Sequence, residues 1–275
     1  MPGTAPIAYR EARARYNPRA VSAKDNDVPG RPLGPVRLLL TKLAVGGVTV
    51  VLGAAAVAVG LLSRRGAGRV VHLWGRVLLG LVGVRVAVEG VECLDSGARY
   101  VVMANHESSL DIPVLLTALP TTIEIRFLAK KSLFGVPFLG WAMSSAGFIP
   151  VDREDRSTAP AMLARTLDEI RRGGSPLVFP EETWTTDGRL LPFARGGFLV
   201  ALKAGLAILP VGLEGSRLVM PPGRTALRPQ LVTVRIGEPI PVAGLRVSSL
   251  RDLMARTRDA VDSLRGDRGH LRDPI

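Results

Sequence analysis

From Leu43 to Leu62 the chain runs for twenty residues without a charge, enough at ~1.5 Å per residue to match a ~30 Å hydrocarbon core. The run begins too deep in the chain, and lacks the cleavage context, for a secretory leader, so a membrane-associated helix is expected. A second apolar stretch, Val70 to Val84, is interrupted by His72 and Arg76 and reads as a return helix, with His72 on a helix face near the interface. Basic residues lie on both sides of the first run: Arg31, Arg37 and Lys42 before it, Arg64, Arg65 and Arg69 after it. Both flanks favour the cytoplasmic side, which points to a monotopic helical hairpin over a single span.

After Arg85 the period changes. Val84 to Val91 alternates as a half-buried strand, and further strands are expected near Tyr100–Ala104, Ile125–Ala129, Gly147–Val151, Pro176–Phe179, Ala207–Gly212 and Leu231–Ile236. Helices are expected between most of them, at Leu110–Leu119, Thr158–Arg172 and Gly196–Ala204. A last one, Ser249–Leu264, opens on a Ser-x-x-Asp capping pattern. Strands alternating with helices define an α/β fold, a layered mixed sheet flanked by helices and preceded by the N-terminal membrane-associated hairpin. The expected division is a disordered basic arm over residues 1–35, the hairpin over 36–83 and one α/β domain over 84–275.

Composition narrows the chemistry. The single cysteine, Cys93, excludes a disulfide framework, and three scattered histidines assemble no zinc pattern, so no metal is expected. A net charge of +12 would suit nucleic acid, but aromatic content is only 5%, no nucleic-acid motif is present, and the long apolar run favours an anionic membrane surface as partner. Arg exceeds Lys by about six to one, a bias that resembles GC-rich coding more than adaptation.

The polar segment Asn105-His106-Glu107-Ser108-Ser109-Leu110-Asp111 follows directly on the Tyr100–Ala104 strand, so a strand delivers a histidine and a carboxylate to a loop. An imidazole with a pKa near ~6.5 can take a proton from a hydroxyl if a carboxylate fixes its tautomer. Five residues on a continuous helix are ~500° apart, so the two side chains meet only if the chain turns between them, and Ser108 or Ser109 can cap the following helix. No Gly-x-Ser-x-Gly elbow is present and Cys93 is poorly placed, so direct attack by a substrate hydroxyl fits better than a covalent intermediate.

These residues, with three further blocks in order, resemble the glycerolipid acyltransferase family, whose first signature is Asn-His-x-x-x-x-Asp. The second block runs from Arg126 through Lys130-Lys131 and Pro137-Phe138-Leu139-Gly140-Trp141 to Val151-Asp152-Arg153. The third is Phe179-Pro180-Glu181-Glu182-Thr183-Trp184 with Arg195-Gly196 downstream, and the fourth is Ile208-Leu209-Pro210-Val211-Gly212. The resemblance implies transfer of a fatty acyl group from a thioester to a lysolipid hydroxyl, with His106 as general base and Asp111 as its partner. It implies substrate contacts from Asn105, Arg126, Lys130, Glu181, Thr183 and Arg195, and no cofactor beyond acyl-CoA or acyl carrier protein as donor. Membrane lipids are the expected partners and the cytoplasmic face of the cell membrane the expected location.

The third block departs from the family pattern Phe-Pro-Glu-Gly-Thr-Arg, with Glu182 in place of Gly and Trp184 in place of Arg. A fixed cation is lost and a carboxylate gained where an anion would sit. The expected acceptor is 1-acyl-glycerol-3-phosphate, with Arg126, Arg189 or Arg195 compensating. The alternatives are another lysolipid, such as an amino-lipid hydroxyl, and a non-catalytic membrane-binding relative. Leu133, Phe134, Pro137, Phe138 and Trp141 either line an acyl groove or fill the core.

Overall fold

The computed structural model describes residues 31–95, 97–152, 155–185, 188–220 and 226–266. All but the last five residues of the expected basic arm lie outside the described residues, as does Arg153 of the second block.

Helix α1 (Pro35–Gly60) opens with proline in its first turn, where the missing N–H costs nothing, and α2 (Arg64–Val82) follows after the short turn at Leu61–Ser63. Ser63 caps α2 by accepting the N–H of Gly66, and Gly83, at φ 81°, ends it in the left-handed conformation open to glycine. The two helices pack together, tied by the Trp74 indole donating to the Thr49 hydroxyl at 3.0 Å. α1 starts eight residues before the expected run at Leu43, and α2 six residues before the expected return stretch at Val70; both end within two residues of the expected ends.

The remaining elements are β1 (Arg85–Glu89), β2 (Val101–Ala104), α3 (Asp111–Ala118), β3 (Ile125–Lys130), α4 (Leu139–Ser145), β4 (Ile149–Val151), α5 (Ala159–Arg171), β5 (Ser175–Val178), α6 (Gly196–Ala204), β6 (Ile208–Glu214), α7 (Ser216–Val219), β7 (Leu231–Ile236) and α8 (Leu250–Leu264). The seven strands form one sheet in the order β1-β7-β6-β2-β5-β3-β4, parallel at every junction except β6–β7. Alternation along β2 divides the core: Val102 and Ala104 point to the side covered by α2, α3 and α4, Val101 and Met103 to the side covered by α5, α6 and α8.

Two short helices, α4 and α7, were not among the expected elements, because neither shows a long apolar period. The Ser-x-x-Asp pattern at Ser249 makes no side-chain cap bond, since a 3-10 turn over Val247–Ser249 leads straight into α8. Neighbouring parallel strands β2, β5 and β3 end on the same side of the sheet, which brings the first three sequence blocks to one edge.

Candidate active site

Asp111 is the first residue of α3 and is fully buried. One of its oxygens, Oδ2, accepts the N–H groups of Glu107 at 2.7 Å and Ser108 at 2.9 Å, and lies 2.8 Å from His106 Nδ1. The carboxylate itself folds the loop back, and this is the turn that lets residues five apart in sequence meet. Ser108 contributes a weaker brace, its hydroxyl accepting the Leu110 N–H at 3.3 Å, while Ser109 lines the cleft instead. With Nδ1 committed to Asp111, Nε2 is the ring nitrogen left for the cleft.

Third-block residues fix the ring from the other sides. Phe179, at the end of β5, stacks on His106 with centroids 4.0 Å apart and planes 12° apart, and Trp184 meets it edge-on at 5.6 Å. Glu181 is buried, accepting the His106 N–H at 2.7 Å through Oε1 and the Leu191 N–H at 2.7 Å through Oε2. Burial pushes its carboxyl above the usual range, against the two main-chain hydrogen bonds and the Arg265 charge that pull it down. Glu182 adopts φ 60°, a left-handed conformation rare for a side-chain-bearing residue.

His106 opens onto a cleft of about 1110 Å³. Its walls are largely apolar: Leu52 and Gly53 of α1, Val71 and Trp74 of α2, Ile112, Leu133, Leu139, Met143 and Phe148. Lys130, Lys131, Glu182, Thr183 and Trp184 also line it. Lys131 pairs with Asp152 at 3.2 Å.

Sequence-nominated residues thus divide into two groups. His106, Lys130 and Thr183 reach the cleft, with Asp111 directly behind His106. Asn105 does not: its amide exchanges hydrogen bonds with the main chain of Leu213 on β6, at 2.7 and 3.0 Å, and donates to Glu107 at 3.2 Å. Glu181 likewise serves the main chain of the His106 loop. Arg126 is buried on β3 between Glu124, 2.7 Å away, and Glu169, 3.6 Å away, and does not line the cleft. Arg195 is exposed at the start of α6, and neither it nor Arg189 lines the cleft. Of the groove candidates, Leu133 lines the cleft, Phe134 packs on the core, and Phe138 and Trp141 contact each other at 5.0 Å. The Cys93 thiol is pushed up to about 11 by burial and by Glu238, and lies outside the cleft.

Sequence reasoning missed Phe179 as a ring partner and the contribution of α1 and α2 to the cleft wall. The first was hidden because only the β2–β5 neighbour relation sets the third block against the first.

Residues 85–214 match the Acyltransferase family, and the chain is similar over half to 70% of its length to curated 1-acyl-sn-glycerol-3-phosphate acyltransferases. A 1-acyl-sn-glycerol-3-phosphate acyltransferase of Limnanthes douglasii is 31% identical over 196 residues, 70% of this chain and 68% of that protein. The Saccharomyces cerevisiae 1-acyl-sn-glycerol-3-phosphate acyltransferase is 33% identical over 67% of this chain and 61% of its own length. A chloroplastic 1-acyl-sn-glycerol-3-phosphate acyltransferase of Arabidopsis thaliana is 39% identical over 142 residues, half of this chain but only 38% of that longer protein. The crystal structure of the 1-acyl-sn-glycerophosphate acyltransferase of Thermotoga maritima shares the fold, with a TM-score of 0.72 at 24% identity, over 86% of this chain and 97% of that one. The chain belongs to the acyltransferase family.

Proposed function

We propose that this protein is a membrane-bound O-acyltransferase that moves a fatty acyl group from an acyl thioester to the free hydroxyl of 1-acyl-glycerol-3-phosphate, giving phosphatidic acid. The observation that carries the reading is the His106–Asp111 pair, 2.8 Å apart, at the edge of an apolar cleft of about 1110 Å³ with two lysines on its wall. The acceptor hydroxyl gives its proton to His106 Nε2 as its oxygen bonds to the thioester carbonyl carbon. The tetrahedral intermediate expels the thiolate, which takes the proton back from the imidazolium. Asp111 holds the ring and stabilises its cationic form, and Lys130 and Lys131 meet the acceptor's phosphate in place of the cation absent at Trp184. The apolar walls receive the acyl chain, and the thioester is that of acyl-CoA or acyl carrier protein, with no further cofactor.

Exposed Leu39, Leu40, Leu43 and Val51 give α1 an uncovered apolar face, which supports attachment to a lipid surface. α1 is long and apolar enough to cross a bilayer, but Gly53 packs on Phe138 and Gly60 on Ser145, so its C-terminal half is fastened to the α/β domain. That fastening supports a monotopic element over residues 36–83, lying in the cytoplasmic leaflet of the cell membrane, with the α/β domain over 84–275.

A second reading, acylation of a different lysolipid, is favoured by Glu182 and Trp184 both lining the cleft. The test is acyl transfer from labelled acyl-CoA and acyl carrier protein to a panel of lysolipids, with His106→Ala in parallel. Labelled phosphatidic acid, lost in His106→Ala, is the expected result. No product with any acceptor, or full activity in His106→Ala, removes the catalytic reading, while product only with a phosphate-free acceptor selects the second.

A further inference from the structure

The loop carrying His106 is held from behind by the last helix of the chain, which lies outside the family match of residues 85–214. Arg265, just beyond α8, is 3% exposed, and its Nη2 lies 3.6 Å from Oε1 of Glu107, the residue that follows His106 and is equally buried. The same guanidinium donates to the Gly188 carbonyl in the third-block segment, and to Asp262 at 2.9 Å. One turn pair earlier, Arg258 donates to the Leu190 carbonyl at 3.0 Å, so α8 grips that segment twice.

Two glycines make this approach available. A Cβ on Gly212 would sit 2.4 Å from the main chain of Leu264, and one on Gly237 would sit 2.8 Å from the Leu264 side chain. The end of α8 therefore rests directly on bare backbone of β6, and the fourth-block glycine has a physical reason: it seats the residue before Arg265.

We propose that Arg265 is a positioning residue for the His106–Asp111 pair, acting through Glu107. This inference rests on the acyl-transfer reading above. The N–H of Glu107 is one of the donors on Asp111 Oδ2, at 2.7 Å, and its carboxylate is buried. A buried carboxylate keeps its place only while opposite charge or hydrogen bonds hold it. Glu107 also accepts the Asn105 amide at 3.2 Å, but loss of the guanidinium removes the opposite charge beside its buried carboxylate, and a shift of that carboxylate pulls the Glu107 N–H off Asp111 and tilts the imidazole. Misplacement of a reacting group by ~1 Å costs on the order of 100-fold in rate, with little effect on substrates bound elsewhere in the cleft.

The test is steady-state acyl transfer to 1-acyl-glycerol-3-phosphate by the full chain in mixed micelles. Arg265→Met is expected to lower kcat by roughly 10- to 100-fold with both KM values within about threefold, while Arg265→Lys stays within about fivefold of wild type. Glu107→Gln is expected to lower kcat too, and the double variant to lose no more than Arg265→Met alone. A kcat for Arg265→Met within twofold of wild type, a rise confined to KM, or multiplying losses in the double variant each overturns the proposal. Should Arg265→Met fail to accumulate as folded protein, the cycle is run with Arg265→Lys and Glu107→Gln, and multiplying losses overturn it there. His106→Ala separates the two claims. If it retains activity the acyl-transfer reading has failed; if it is dead while Arg265→Met is fully active, only the positioning role has.

Discussion

At the scale of single residues, the site is built on one carboxylate. Asp111 Oδ2 gathers the imidazole and two main-chain N–H groups, so its charge closes the loop and orients the ring together. Asparagine has nearly the same shape but brings an N–H₂ that competes for Nδ1 and favours the wrong tautomer. Asp111→Asn is expected to lower kcat by ~100-fold or more, a loss read in the same acyl-transfer assay with the fold checked by circular dichroism. Glu181 invites the parallel argument, since both its oxygens accept main-chain N–H groups. In Glu181→Gln one of those N–H groups must face an amide donor, and the melting temperature should fall by the equivalent of ~1–3 kcal/mol. The His106–Asp111 pairing was legible in the sequence because strand, loop and helix follow one another within a dozen residues. The structural duties of Asn105 and Glu181 were not, because each is decided by a partner far along the chain, Leu213 and the His106 main chain; Arg126 is held by Glu124 two residues away, but its burial, with Glu169 3.6 Å off, needed the folded chain.

Elements show the same division between local and distant information. The expected strands and the main helices lie within a few residues of those observed, since period-2 and period-3.6 patterns are local properties. Which strand lies beside which is not local, and the β2–β5–β3 adjacency that creates the site needed the folded chain. The second N-terminal helix illustrates the limit well. His72 was expected near a membrane interface, but it is buried on α2 against the rest of the protein. Burial lowers its pKa, a hydrogen bond with Leu116 works against this, and the charge of Arg76 adds to the lowering. Because the native pKa is depressed, the neutral ring's contribution to stability is complete above about pH 6.5 and is lost as pH falls below it. Thermal melts at about pH 7.5 and about pH 5 should therefore show a drop for wild type that is visibly smaller for His72→Gln. An equal drop in both proteins would mean that His72 is not the group responsible.

For the whole molecule, the N-terminal helices and the α/β domain share the cleft: Thr49, Leu52, Gly53, Val71 and Trp74 form one wall and the second and third blocks the other. The uncovered apolar face of α1, on a helix that also lines the cleft, is where attachment to a lipid surface is expected. Replacing Leu39, Leu43 and Val51 together by Asp removes three large apolar side chains, each contributing up to ~1.5–3 kcal/mol when fully buried in lipid. Cosedimentation with anionic phospholipid vesicles should fall by at least ~10-fold, while acylation of a detergent-dispersed short-chain lysolipid persists. Vesicle binding equal to wild type would place the attachment elsewhere.

The backbone at Glu182 couples main-chain conformation to charge at the cleft. The family signature places glycine here, a residue free to adopt a positive φ, whereas Glu182 holds φ 60° with a side chain, at a conformational cost of ~1–2 kcal/mol. Returning the position to glycine would relax the main chain and strip a negative charge from the rim in one substitution. A single change at this bend therefore alters main-chain strain and the charge facing the cleft together, while leaving the seven-stranded sheet as it is.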